Sequence, residues 1–163
     1  MNVIYPPNPI PIDDKPKVFL AGSIEMGKAE DWQAYVTKQL GTYDVNILNP
    51  RRPDWDSTWI QDESFVPFRD QVLWEQEGLY RAEITIFNFC AGTKSPITLL
   101  ELGVALGHIK QYPYVHVCCP RAFYRHANVA ITCKFFGVNV HETLDEVIAL
   151  VKTDIDNHNI LNK

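Results

Sequence analysis

The glycine patterns that mark dinucleotide and triphosphate sites are missing from this chain. Eight of its 163 residues are glycine, and neither G-x-G-x-x-G nor G-x-x-x-x-G-K-S/T occurs, so a nicotinamide, flavin or P-loop site loses its main support and no cofactor is expected. Basic residues are in deficit: 15 Lys and Arg against 20 Asp and Glu leave a net charge of −5, too acidic for a protein that holds duplex nucleic acid mainly by neutralising phosphates. A small charged substrate remains compatible with that balance. Cysteine is sparse: Cys90, Cys118, Cys119 and Cys133 form no C-x-x-C pair, and adjacent Cys118 and Cys119 suit neither a disulfide framework nor zinc. They read as buried, reduced thiols. His108, His116, His126, His141 and His158 show no metal-ligand spacing, so no metal is expected. No apolar run approaches the ~18 residues of a membrane span, and the N-terminus MNVIYPPNPIPIDD lacks a basic region followed by an apolar core. The expectation is a soluble, cytoplasmic protein.

What is present is an ordinary globular composition, 46% hydrophobic and 21% charged, enough for a core and sized for one compact domain. Pro6, Pro7, Pro9, Pro11 and Pro16 block helix and favour an extended polyproline-like arm over residues 1–16, packed across the domain or a neighbour. From there strands and helices alternate. Residues 17–21 are an apolar run ending at Gly22-Ser23, a buried strand entering a turn. Trp32, Tyr35, Val36 and Leu40 fall at helical spacing and Gly41 stops them. A second strand at 45–48 and a long polar loop precede a helix near 67–80. A third strand covers 83–89, and the loop at 90–95 leads through Pro96 into a helix over 97–110. A fourth strand at 114–118, a helix over 128–136 and a weak strand at 138–140 follow. An amphipathic helix through Leu144, Val147, Ile148 and Val151 completes a domain over 17–152, and the polar tail over 153–163 frays. This order predicts a three-layer α/β fold, flavodoxin-like or Rossmann-like, with a five-stranded parallel sheet and helices on both faces. Ligands of such sheets bind beyond the carboxyl ends of the strands, so the site is expected from segments 22–28, 49–56, 88–101 and 120–128.

Two acids interrupt apolar stripes. On a helix, Glu101 has Ile97, Thr98, Val104 and Ala105 as same-face neighbours, and an unpaired carboxylate buried there is costly. The alternative is a Glu exposed on a helix of different phase, or one bonded to a loop amide. Gly103 and Gly107 each weaken this helix by roughly 1 kcal/mol relative to Ala, a sign of close backbone packing or a ligand. Glu75 breaks the run Phe68, Val72 and Leu79, although Asp70 and Glu77 are acids on the same segment and a one-residue phase error would turn Glu75 outward. Two acids converging above the first and third strands would suit displacement at a sugar anomeric carbon, one attacking and one assisting the leaving group. Elsewhere, Gly22-Ser23 is a weak anion-binding signal. Arg51 and Arg52 either hold a phosphate or form a solvated pair. Trp55, between Asp54 and Asp56, either stacks on a base or packs on the core as a lid residue.

The segments Phe19-Leu20-Ala21-Gly22-Ser23, Arg51-Arg52-Pro53-Asp54-Trp55-Asp56, Trp74-Glu75 and Ser95-Pro96-Ile97-Thr98-Leu99-Leu100-Glu101-Leu102-Gly103 occur in that order. With them the chain resembles the nucleoside 2-deoxyribosyltransferase family over residues 17–151. The resemblance implies a flavodoxin-like subunit, usually in a homo-oligomer, that exchanges the base of a 2'-deoxyribonucleoside through a deoxyribosyl-enzyme ester. Its partners would be a small-molecule nucleoside or nucleotide and a free nucleobase, its setting nucleotide salvage. It implies Glu101 as nucleophile and Glu75 as the acid that assists the departing base. Gly22, Ser23, Asp54, Trp55 and Ser95 would bind substrate, and Asn128 would reach the sugar hydroxyls, often those of a neighbouring subunit's site. Ser95 stands where the family has an Asp, and Glu83 where an Asp ends the step into the third strand. Residues 159–163 show no counterpart of the family's C-terminal carboxylate. Related nucleotide N-glycosidases, in which water accepts the sugar, hold a 5'-phosphate with Ser and loop amides near Gly22, Ser23 and Ser95. The leading expectation is therefore base exchange. Hydrolysis of a deoxynucleoside or a nucleoside 5'-monophosphate comes second, and a non-catalytic nucleotide-binding sensor is the alternative of another class.

Overall fold

Apolar runs too short for helices pair side by side here, and the helices between them cover both faces. The structure, a computed structural model, describes residues 1–25, 29–109 and 114–161. Its strands are β1 (Asn2–Ile4), β2 (Lys17–Gly22), β3 (Asn46–Leu48), β4 (Ile84–Asn88), β5 (Tyr114–Cys118) and β6 (Val140–His141). Its helices are α1 (Trp32–Gln39), α2 (Val66–Arg81), α3 (Pro96–Gly107), α4 (His126–Phe135) and α5 (Leu144–Leu161). All neighbouring strands are parallel in the order β1-β3-β2-β4-β5-β6, so β2 to β6 follow the flavodoxin-like order. Alternation along each strand feeds two cores. Val18, Leu20, Ile47, Ile84 and Ile86 meet Trp32 and Val36 of α1 and Val147 and Val151 of α5. Phe19, Ala21, Leu48 and Phe87 meet Trp74 of α2, Leu102 and Leu106 of α3 and Val129 of α4. Burial on both faces is why the strands read as unbroken apolar runs.

The sheet has six strands rather than the five expected. The additional strand lies ahead of the prolines, where Asn2, Val3 and Ile4 run parallel beside Asn46, Ile47 and Leu48. Three residues carry no periodicity of their own, and the proline density that follows masks them. The rest of the arm crosses the domain itself. The Trp74 indole donates to the Asn8 carbonyl at 2.8 Å, and the Arg81 guanidinium donates to the Ile10 and Pro11 carbonyls at 3.1 and 2.7 Å. Side chains thus satisfy carbonyls that a proline-rich segment cannot pair in a ladder. The C-terminal end also differs from expectation: α5 continues to Leu161, through most of the tail expected to fray over 153–163. Fully buried Ile155 extends the stripe of Val147, Ile148 and Val151 by another turn. Lys110, expected to end the third helix, lies outside the described residues, as do residues 162–163.

Glu83 has a structural task at the amino edge of the sheet, accepting from the Lys17 amide at 2.7 Å and so holding β2 beside β4. Lys17 itself is 5% exposed, with its ammonium donating to the Asp13 and Lys15 carbonyls, both at 3.1 Å. At the other end of β2, Gly22 lies at a close approach. A Cβ there would stand 2.5 Å from the Asn88 carbonyl oxygen and 2.5 Å from the Trp32 ring. The indole is pinned, its N–H donating to the Ser23 carbonyl at 3.0 Å, and the Asn88 oxygen is backbone, so neither yields cheaply. Gly22→Ala is expected to lower the unfolding free energy by about 2–4 kcal/mol. A urea titration followed by tryptophan fluorescence reads it, and a loss below about 0.5 kcal/mol would contradict this packing.

Candidate active site

The connection after β2 leaves toward α1 on one face, and the connection after β4 leaves toward α3 on the other. Their carboxyl ends therefore diverge at the switch point of the sheet. Ser23 sits there, fully buried. Its amide donates to the Asn88 carbonyl at 2.9 Å, and its hydroxyl oxygen accepts from the Cys90 amide at 2.9 Å. That oxygen also lies 2.6 Å from the Ser95 hydroxyl and 2.9 Å from the Thr93 hydroxyl, which are 3.0 Å from each other. This closed triangle of hydroxyls ties the end of β2 to the loop before α3. Ser95, the N-cap of α3, has φ +46°, and Glu25 has φ +48°. Among the described residues these are the two non-glycine residues in the left-handed region, a costly conformation that clusters at functional sites. They are joined: one oxygen of the Glu25 carboxylate accepts from the Lys94 and Ser95 amides, both at 2.8 Å. Residues 26–28 of the expected segment 22–28 lie outside the described residues.

On the adjoining face are the two acids. Glu101 is 5% exposed, on the side of α3 that carries Thr98, Leu102 and Ala105, and no described residue hydrogen-bonds to it. The helix phase differs from the expected one by a fraction of a turn, since Ile97 and Val104 point outward at 58% and 42% exposure. α2 is turned similarly, with Gln71, Trp74 and Gly78 inward and Val72 outward. Glu75 is left at the margin, half-buried, its carboxylate accepting from the Gln71 amide at 2.7 Å. The same Gln71 nitrogen donates to the Pro50 carbonyl at 3.1 Å, so Glu75 is positioned from the loop after β3. Burial pushes the Glu75 carboxyl up to about 7. Burial and then the nearby charge of Glu75 push Glu101 up to about 8. These are two carboxyls in one poorly hydrated space, and their titration belongs to the pair.

The loop after β3 is packed on itself. Arg52 grips Asp54 with two hydrogen bonds of 2.7 Å and lies over the Trp59 ring, 5.0 Å from its centroid. Trp55 packs against Trp59 at 4.9 Å between centroids, and Trp59 against Phe65 at 6.1 Å. Trp55 therefore covers its own loop rather than the core, and its buried indole N–H has no partner among the described residues. Arg51 donates to the Ala29 and Glu30 carbonyls at 3.0 and 2.9 Å, tying the segment before α1 to this loop. The two arginines are structural clamps, not a solvated pair. Asn128 is exposed in the first turn of α4.

The structure thus brings Gly22, Ser23 and Ser95 together, and Glu75 with Glu101 beside them. Asp54, Trp55 and Asn128 make no hydrogen bond to either group. Thr93, Glu25 and Gln71 complete the arrangement; Glu25 and Thr93 fall in the expected segments 22–28 and 88–101 but were not singled out, and Gln71 lies outside every expected segment. Gln71 had a usable signal, since it lies one helical turn before Glu75; Thr93 and Glu25 had only their place in the loops beyond the carboxyl ends of the strands. A cleft of about 770 Å³ opens on the opposite side of the sheet from the acids, lined by Glu25, Trp32, Asn88, Cys90, Cys118 and Asp145 among others. Burial pushes the Cys118 and Cys119 thiols up to about 12 and Cys133 up to about 11, which keeps all three protonated near neutral pH. Among the described residues no helix is long and apolar enough to cross a membrane, and no three His, Cys, Asp or Glu side chains are grouped to hold a metal ion.

A family model described as nucleoside 2-deoxyribosyltransferase like matches residues 15–123. No curated protein matches the chain. Among solved structures, the crystal structure of a conserved protein from Enterococcus faecalis V583 shares the fold with a TM-score of 0.60. The likeness covers 86% of this chain and 99% of that one at 15% identity. The span matched by the family model, well over half of the chain, runs from the start of β2 past Glu75, the hydroxyl triangle and Glu101 to Phe123. On that match the chain belongs to the nucleoside 2-deoxyribosyltransferase-like family.

Proposed function

We propose that the protein moves 2-deoxyribose from one nucleobase to another through an ester on Glu101. The observation that carries this reading is the pair itself: a nearly dry Glu101, hydrogen-bonded to no described residue, within the field of a Glu75 that Gln71 holds in place. As a carboxylate, Glu101 attacks C1' of a bound 2'-deoxyribonucleoside. The C1'–N bond breaks, its electron pair goes to the base nitrogen, and a proton from Glu75 neutralises it. The incoming base then attacks C1' of the ester, the C1'–O bond to Glu101 breaks, and the surplus N–H proton returns to Glu75. Two inversions leave the configuration retained. One proton shared by two carboxyls is the state that each half-reaction requires. Ser23 and Ser95 would meet the sugar, and Asp54 and Trp55 the substrate from the loop after β3.

A homo-oligomer belongs to the same proposal. Its support is the apolar surface left exposed on the helices that carry the acids and on α4: Leu73, Ile97, Leu100, Ile131 and Phe135. Gly103 and Gly107 face open space, so a second helix could approach α3 closely. Exposed Asn128 would then be available to a neighbour's sugar. Sedimentation showing only monomer at assay concentration would remove a shared site. A cytoplasmic place in nucleotide salvage accords with such an activity.

The test is to incubate the protein with each deoxynucleoside, with and without a second free base, and to separate the products by chromatography. A new nucleoside that forms only with acceptor present is the expected result. Free base released equally fast without acceptor would make the protein a hydrolase, and no turnover of any substrate would leave a nucleotide-binding protein.

A further inference from the structure

A carboxyl that donates a proton has two oxygens, and its chemistry depends on which of them carries the hydrogen. At Glu75 one side chain makes that choice. Gln71 is 4% exposed, and its nitrogen donates twice: to the Pro50 carbonyl at 3.1 Å and to one Glu75 oxygen at 2.7 Å. The Pro50 contact fixes which way the amide points, because a carbonyl only accepts. Turned over, the amide would set its own oxygen against that carbonyl. In place, the Gln71 oxygen is buried with no partner among the described residues, a destabilising feature that persists because the nitrogen is held by both acceptors. The Pro50 carbonyl is itself fixed. It also accepts from the Arg52 amide at 2.9 Å, and the preceding Asn49 amide donates to the Ile4 carbonyl of β1 at 2.9 Å. The Asn49 side chain, 4% exposed, accepts from the Arg51 amide at 2.9 Å. The short strand ahead of the prolines thus reaches Glu75 through Asn49, Pro50 and Gln71. An oxygen that accepts an amide N–H at 2.7 Å has its lone pair engaged, whereas the second Glu75 oxygen is bonded to no described residue.

We propose that Gln71 is a positioning residue that assigns the Glu75 proton to one oxygen: the oxygen facing Gln71 remains the carbonyl of the acid, and the other carries the O–H that meets the departing base. In that step the O–H bond breaks and its electron pair stays on Glu75, while an N–H bond forms with the pair released from C1'–N. The same oxygen takes the surplus proton back from the incoming base. This inference rests on Glu75 as the acid of the proposed exchange and names the oxygen that acts; its test separates the two.

The experiment has a kinetic and a spectroscopic arm. Gln71→Met keeps the length of the side chain and removes both N–H groups. Its kcat for base exchange is expected to fall at least about tenfold, with KM changed less than about threefold. Burial raises the Glu75 carboxyl and the Gln71 bond opposes it, so losing the bond raises it further and moves the pH optimum of kcat/KM upward by at least about half a unit. An optimum that does not move, whatever the loss of rate, reduces Gln71 to packing and overturns the proposal. The second arm needs no Gln71 variant. Infrared difference spectra at about pH 5 compare the C=O bands of the two protonated carboxyls, assigned as those lost in Glu75→Gln and Glu101→Gln. A carbonyl that accepts a hydrogen bond vibrates at lower frequency, so the Glu75 band should lie below that of Glu101, and in Gln71→Met it should rise. A Glu75 band at or above the Glu101 band overturns the proposal. If wild type turns over no substrate, base exchange itself fails and the infrared comparison alone decides where the proton sits. Thermal unfolding of each variant confirms that it is folded.

Discussion

Glu101→Gln is expected to abolish base exchange, with kcat falling by at least about 10³-fold. The amide matches the carboxylate in volume, so the packing beside Leu102 and Ala105 on α3 is preserved and lost activity cannot be blamed on a cavity. What is removed is the oxygen that would form the proposed ester. Denatured wild type quenched during turnover should carry one deoxyribosyl group on the Glu101 peptide, seen by mass spectrometry, and the variant should carry none. A variant within tenfold of wild type would take Glu101 out of the chemistry. The pH profile of wild-type kcat/KM follows from the same pair. In the proposed exchange Glu101 must ionise while Glu75 keeps its proton, and with burial pushing the two groups up to about 8 and about 7, activity should peak between these values and fall on either side.

The second large effect has the opposite sign, because Glu101→Gln should make the protein more stable at alkaline pH. The folded-state pKa of Glu101, about 8, lies above its ordinary 4.5, so between these values the folded chain binds a proton that the unfolded chain has lost. Wild-type stability therefore falls as pH rises from about 4.5 to about 8 and levels off above, whereas glutamine at this position has no charge to bury. At pH 9 the variant should exceed wild type by roughly 2–4 kcal/mol, at about 1.4 kcal/mol per pKa unit with allowance for local hydration of the ion. Near pH 4 the two should agree closely. Urea unfolding at both pH values measures the difference, and an equal difference at both would mean that Glu101 is hydrated in the folded chain. The desolvation that would make this carboxylate reactive in the proposed exchange is the same one that lowers the stability of the fold at alkaline pH.

The course of the chain was largely legible. Runs at 17–21, 83–89 and 114–118 alternating with helical stripes imply a parallel sheet, because strands covered on both faces are apolar almost throughout and parallel neighbours need crossovers. β1 escaped because three residues before a proline cluster carry no period. The last turns of α5 escaped because Ile155 stands alone among polar residues, and only its burial against the sheet extends the helix.

The site divides along the same line. That Glu101 is a misplaced acid follows from its position on a helix with Thr98 and Ala105, a property of one element and its 3.6-residue period. Whether Glu75 also faces inward depended on a phase that α2 alone leaves open, and packing turned the helix so that Gln71 could hold it. The hydroxyl triangle joins Ser23 to Ser95 across 72 positions, and Glu25 meets the Ser95 amide across 70. Trp55 and Arg52, each open to two readings in the sequence, were decided by Trp59 and Asp54. Periodicity is written locally, so most strands and helices, and the acid out of place on α3, can be read along the chain. Which polar groups meet cannot, because strand order and crossover direction bring distant loops to one end of the sheet.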